Sequence, residues 1–180
     1  MRVIEKTIYQ FDELSDAAKE KAREWFRGIA DDWGAESVID DARRIGALIG
    51  FDVDEIYWRG FWSQGDGACW TGSVAYSTGC AAAVARECPQ DAKIQRIARE
   101  WQELQRRNFY RVRGSVSAND RYLRTSVDAD PVDINQIVSD FADWIYRALE
   151  KEYEYQMSDE CVDESIRANE YGFDEDGNRA

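Results

Sequence analysis

The chain has 180 residues, 44% hydrophobic and 33% charged, with a formal net charge of −13 and no histidine. Its length suits one domain with one core. Without imidazole there is no Ser-His-Asp or Cys-His nucleophilic system, no H-E-x-x-H zinc protease and no His-ligated metal site. No apolar run reaches the roughly 20 residues of a spanning helix. The stretch MRVIEKTIYQFDEL lacks the continuous apolar segment of a signal peptide, so a cytoplasmic protein is expected.

In chain order, residues 2–9 alternate with a period of two and read as a strand. Ser15 is a candidate N-cap for a helix whose stripe runs Ala18, Ala22, Trp25, Phe26 and Ile29. A second helix carries Val38, Ala42, Ile45 and Ile49 and stops at Gly50. The segments FDVDEIYW and ACWTGSVAY read as two strands, with residues 57–70 between and around their ends. A short helix over 79–87 precedes Pro89, and a longer one buries Ile94, Ile97, Ala98, Trp101 and Leu104.

Strands are expected near 110–117 and 121–128, joined by Ala118, Asn119 and Asp120. Pro131 precedes a long helix over about 132–156, with Ile134, Ile137, Val138, Phe141, Trp144, Ile145 and Leu149 along one face. Ser158 caps a last helix, and the tail from about residue 171 is either a small hairpin around Asp-Gly or loose. Hairpin pairs separated by helix pairs predict an α+β fold. It would be a single domain over 1–180, an antiparallel sheet of about four to five strands packed against several helices.

Four cysteines without a C-x-x-C pair read as reduced, small hydrophobes. The segment DEDGN resembles part of a calcium loop but lacks the downstream Glu, so it is not an EF-hand. No metal or cofactor is expected.

Three groups of residues carry the functional expectations. In the segment SQGDGA, Gly65 and Gly67 suit positive φ, and Asp66-Gly67 is a short turn signal. One reading is a turn with cross-strand aromatic packing. The other is a binding loop in which Trp62, Ser63, Gln64, Gly65, Asp66 and Gly67 meet a partner. Asp66 would repel a phosphate, and the P-loop spacing with its Lys is absent. The second group is arginine-rich. Residues 86–127 carry a net charge of +5, with Arg96, Arg99, Arg106, Arg107, Arg111, Arg113, Arg121 and Arg124 around Phe109, Tyr110 and Tyr122. Such interleaving could grip a nucleic-acid strand, or the arginines could pair with acidic helices of the same chain. The third group is acidic. Residues 128–180 carry −12, and Asp140, Asp143, Glu150 and Glu154 are spaced to form a row on one helix face. That row is either a solvated face or a surface like a phosphate backbone.

The segments FDELSDAAKEKA, GFWSQGDGAC, ADWIYRALEKEYEYQMSDE and IRANEYGFDEDG resemble a family of small bacteriophage and prophage proteins with an FWSQGDGA-like core. Some members of that family carry an automatic label as antitoxins of toxin–antitoxin stability systems. The resemblance implies a mobile-element setting in a bacterial host cell and supplies no catalytic residue. The leading expectation is a non-enzymatic protein that binds and inhibits or modulates a host protein, such as a nucleic-acid-binding defence component. One alternative is a nucleic-acid-binding or antitoxin-like regulator using the arginines. The other is an enzyme with carboxylate chemistry near Asp66.

Overall fold

The computed structural model describes residues 6–30, 33–119, 122–127 and 131–180; for residues 119, 122–127 and 131–132 only the backbone is described. The fold is α+β, and the described residues form antiparallel sheets of four and two strands. Contacts divide the chain into two compact units, residues 36–150 and residues 1–35 with 151–180.

In the first unit the chain runs through α2 (Ala35–Ile49), β2 (Phe51–Arg59), β3 (Gly67–Val74), α3 (Cys80–Glu87), α4 (Ala92–Arg107), β4 (Gly114–Asn119) and β5 (Tyr122–Val127). It ends in α5 (Pro131–Gln156), of which the residues up to 150 belong here. The strands form one meander in the order β2-β3-β4-β5, all antiparallel. One face of the sheet carries Phe51, Val53, Ile56, Trp70, Val74 and Val116, all buried. Against it stand aromatic and aliphatic side chains of α4 and α5: Phe51 meets the Trp101 and Phe141 rings edge-on at centroid distances of 5.1 and 5.2 Å. The Trp70 indole N–H donates to the Val138 carbonyl at 3.3 Å, which satisfies its one polar atom inside the core.

Strand β2 does not keep a simple period of two. Val53 pairs with Gly72 and Glu55 with Thr71, so Asp54 is an extra residue and forms a bulge. The bulge resets the phase and puts Ile56, not Glu55, on the core side. The Asp54 carbonyl, displaced from the ladder, accepts from the Arg43 guanidinium at 3.0 Å. Helix α2 buries Ile39 where the sequence pointed to Val38, which is half-buried, because Ile39 aligns with Ala42, Gly46 and Ile49. Helix α4 starts at Asp91, whose carboxylate accepts from the Ile94 N–H at 3.0 Å and from the Trp144 indole N–H at 2.6 Å.

The second unit contains β1 (Tyr9–Gln10), a 3-10 turn (Phe11–Glu13), α1 (Asp16–Ile29), the last turn of α5, α6 (Asp159–Ala168) and β6 (Gly172–Phe173). Its core is Phe11, Leu14, Ala18, Ala22, Val162, Ile166 and Phe173. Ser15 and Ser158 cap α1 and α6, accepting from Ala18 and Cys161 N–H groups, both at 3.3 Å. Arg23 grips Asp163 with two parallel bonds of 2.6 and 2.9 Å, both side chains largely shielded from water.

Of the strand expected over 2–9, residues 2–5 lie outside the described residues; among those described, β1 covers Tyr9–Gln10, and Ile8 is exposed. β1 pairs antiparallel with the two-residue β6 in the register Tyr9 to Phe173. The tail is ordered. Phe173 is buried, and Asp174 accepts from the backbone N–H groups of Asp176 and Asn178 at 3.1 and 2.9 Å, closing the turn.

Candidate functional site

The loop between β2 and β3, residues 60–66, is built around Asp66. One oxygen of its carboxylate accepts from the backbone N–H groups of Trp62 at 2.8 Å and Ser63 at 2.5 Å. The Asp66 N–H in turn donates to the Ser63 carbonyl at 3.0 Å, closing a four-residue turn over Ser63–Asp66. Gly65, with φ at 95°, takes the position in that turn that side chains resist. A Cβ on Gly60 would lie 2.6 Å from the Asp66 carboxylate, so the carboxylate sits where only glycine leaves room. The turn expected at Asp66-Gly67 therefore lies two residues earlier, at Gln64-Gly65. Gly67 opens β3 without positive φ, because Asp66 is occupied in capping backbone donors behind it.

This internally bonded loop carries exposed aromatics. Trp62 is 63% exposed, Tyr57 52% and Trp58 37%. Phe61 points the other way and packs on Tyr146 of α5 at 5.6 Å between centroids. Burial, followed by the Glu150 and Asp66 carboxylates, pushes the Tyr146 phenol above its ordinary value of 10. A shallow cavity of about 230 Å³ opens beside the hairpin, lined by Tyr57, Trp58, Arg59 and Gly65 to Cys69. Ser63 and Gln64 stand exposed at the tip.

The arginines divide into two sets. Arg96 pairs with Asp140 at 2.7 Å and Glu100 at 3.0 Å, Arg106 with Glu103 at 2.8 Å and Arg107 with Asp133 at 3.4 Å. Hydrogen bonds donated to those carboxylates hold Arg96 and Arg106 above the usual guanidinium value. A groove of about 510 Å³ between α4 and α5 mixes these charges of both signs. Arg99, Arg111 and Arg113 are exposed and form no ion pair among the described residues. Arg121 lies outside the described residues, as does Asp120 of the expected turn, and Arg124 is described only as backbone in β5.

The strand expected from residue 110 begins at Gly114, so Arg111 and Arg113 precede it. Gln105 is the reason. Its side chain is fully buried, donates to the Val112 carbonyl at 2.8 Å and accepts from the Val112 N–H at 3.2 Å. A side-chain amide thus pairs Val112 as a neighbouring strand would, and the backbone between turns a tight corner. The Tyr110 N–H donates to the Gln105 carbonyl at 2.6 Å. Phe109 and Tyr110 are both left-handed, at φ 53° and 59°, an arrangement that costs non-glycine residues about 1–2 kcal/mol each. Phe109 is 81% exposed, and Tyr110 meets Tyr76 at 4.6 Å between ring centroids.

The acidic row is broken up. Asp140 is held by Arg96 and by the Gln136 amide at 2.8 Å, and Glu150 by Arg147 at 2.5 Å. Asp143 and Glu154 are exposed, and Glu154 belongs to the other unit. Burial pushes the thiols of Cys69, Cys80 and Cys88 above the ordinary value of 9.0, which disfavours the reactive thiolate. No cluster of three or more His, Cys, Asp or Glu placed to hold a metal ion occurs among the described residues. Nor is any helix among them long and apolar enough to cross a membrane.

Gln105 and Tyr76 were missed in the sequence. Gln105 had a signal: a polar residue four positions after Trp101, on the apolar stripe of α4. Tyr76 had none, because its contact with Tyr110 depends on the pairing of Val74 with Gly114.

Residues 33–159 match the family model described as Domain of unknown function (DUF8835). The chain belongs to that family. The matched residues include both the β2–β3 loop and the corner at Gln105. No curated protein and no solved structure matches the chain.

Proposed function

We propose that this chain is a binding protein that holds a partner protein against the aromatic rim of the β2–β3 loop. The observation that carries the reading is Trp62, 63% exposed on a turn whose backbone is bonded to Asp66. A large aromatic on an ordered loop binds without a large ordering cost, and Trp and Tyr dominate the energetics of protein interfaces. Tyr57 and Trp58 extend the rim, and the adjoining cavity has room for a partner side chain. Asp66 is the loop's internal cap in this reading, not a contact. Ser63 and Gln64 supply polar contacts at the edge.

The net charge of −13 favours a partner with a basic surface and speeds its approach. With Asp140 and Glu150 taken up by arginines, that charge acts as a diffuse field, not as a continuous phosphate-like row. In the mobile-element setting that the FWSQGDGA resemblance implies, a host protein with a basic, nucleic-acid-binding surface fits such a field.

The test is capture from host lysate on the immobilised chain, compared with Trp62→Ala and repeated across a salt series. A specific protein retained by the wild type, lost from the variant and released as salt rises is the expected result. A retained protein that is indifferent to Trp62→Ala removes the rim from the interface, and indifference to salt removes the steering.

A further inference from the structure

We infer that the corner at Asn108–Val112 is a second binding site, and that its ligand is single-stranded nucleic acid. The site lies at the opposite end of β3 from the β2–β3 loop, about 23 Å away at 3.3 Å per strand residue. It is independent of the protein-binding reading above.

Three observations converge on it. Phe109, at 81% exposure, has almost its whole ring in solvent, and the Tyr76–Tyr110 pair supplies further aromatic surface beside it. Base stacking on such rings is sequence-tolerant, because every base has a π-face, and it needs unpaired bases. Next, residues 104–119 contain four arginines and no carboxylate; Arg106 and Arg107 pair with Glu103 and Asp133 just outside that stretch, which leaves two arginines to give the corner its positive charge. Arg111 and Arg113 are exposed and form no ion pair among the described residues, so their guanidinium groups are available to phosphate. In a chain of net charge −13 this is a local reversal of sign, and at physiological salt the distant carboxylates are screened beyond about 8 Å.

Finally, the backbone is forced. Phe109 and Tyr110 occupy left-handed conformations that glycine or asparagine would adopt at lower cost, and buried Gln105 holds the corner closed through Val112. Large side chains at such positions point to a use for the side chains themselves. A protein ligand accounts less well for the arginines on either side of Val112, whereas alternating stacking and phosphate contacts match a nucleotide repeat.

The test is fluorescence anisotropy of the full chain with labelled 15-mers of oligo-dT and oligo-rU and with a 15-base-pair duplex, from 50 to 200 mM salt. Expected is binding of the single strands at least tenfold tighter than the duplex. Phe109→Gly keeps the corner's backbone accessible and is expected to weaken single-strand binding tenfold or more. Arg111→Ala with Arg113→Ala is expected to lower the slope of log affinity against log salt by about 1.4, from roughly 0.7 per phosphate contact on a single strand. Arg86→Ala, which removes one positive charge from α3, is expected to change neither. Thermal melting of each variant confirms folding. Absence of single-strand binding at 50 mM salt overturns the assignment. So does equal affinity for duplex, or binding that survives Phe109→Gly and the double arginine change in folded protein.

Discussion

The β2–β3 loop and the corner after α4 each expose an aromatic residue, and each keeps the backbone beneath it in place by a hydrogen-bonding side chain. In the loop the side chain is a half-buried carboxylate, Asp66, which caps two exposed N–H groups from within the turn. In the corner it is a fully buried amide, Gln105, which pairs both polar groups of Val112. The difference continues in the backbone. The loop gives its positive-φ positions to Gly60 and Gly65, whereas the corner gives them to Phe109 and Tyr110. A loop that assigns its awkward conformations to glycine needs no further explanation. One that assigns them to large rings is held by tertiary bonds against a local preference, and its stability depends on the residue doing the holding.

That contrast can be broken at four places. The largest effect is expected from Gln105→Leu, which keeps volume but leaves the Val112 N–H and carbonyl buried and unpaired. A loss of about 3 kcal/mol in denaturant-measured stability is expected. A loss under 1 kcal/mol would mean that the corner is held by something other than this amide. Asp66→Ala frees two donors that water can reach, so the expected cost is smaller, about 1.5 kcal/mol, as for a lost helix cap. Hydrogen exchange at the Trp62 and Ser63 amides should rise in that variant while the β4 amides stay protected.

Gly65→Ala places a Cβ at φ 95° and is expected to cost about 1 kcal/mol by the same unfolding assay. The smallest effect has the opposite sign. Phe109→Gly relieves a left-handed residue, and the added freedom of the unfolded chain offsets part of the gain. A net stabilisation of about 0.5 kcal/mol is expected. If Phe109→Gly destabilises instead, the ring contributes packing that its exposure does not indicate, and the comparison between the two loops weakens.

Elements set by local pattern were legible in the sequence. Ser15 and Ser158 announced two helix starts, and the apolar stripes of α4 and α5 matched the buried residues from Ile94 to Leu104 and from Ile134 to Leu149, except that Trp144 is half-buried. The α+β class followed from the order of hairpins and helices. What escaped was set by distant partners. The bulge at Asp54 depends on the register with Gly72 and Thr71, and the late start of β4 on a side chain nine residues upstream. Of the candidate site, the aromatic loop was visible as a composition, but the role of Asp66 as its cap was not. A carboxylate followed by glycine reads equally well as the turn itself. The arginines were visible as a charge reversal. The Arg106–Glu103 pair lies within α4, but only the neighbouring α5 decides that Arg96 reaches Asp140 and Arg107 reaches Asp133, while Arg111 and Arg113 form no ion pair among the described residues.

The bulge in β2 constrains how a partner can arrive. Among the described residues this strand is the outer member of its sheet, and such an edge would ordinarily invite an extended segment of another chain to join the ladder. Asp54 interrupts that side, with Asp52 and Glu55 adding charge on either flank, and Arg43 already occupies the carbonyl that the bulge turns outward. The bulge makes this margin of the sheet a poor template for an added strand and leaves side chains as the groups it presents.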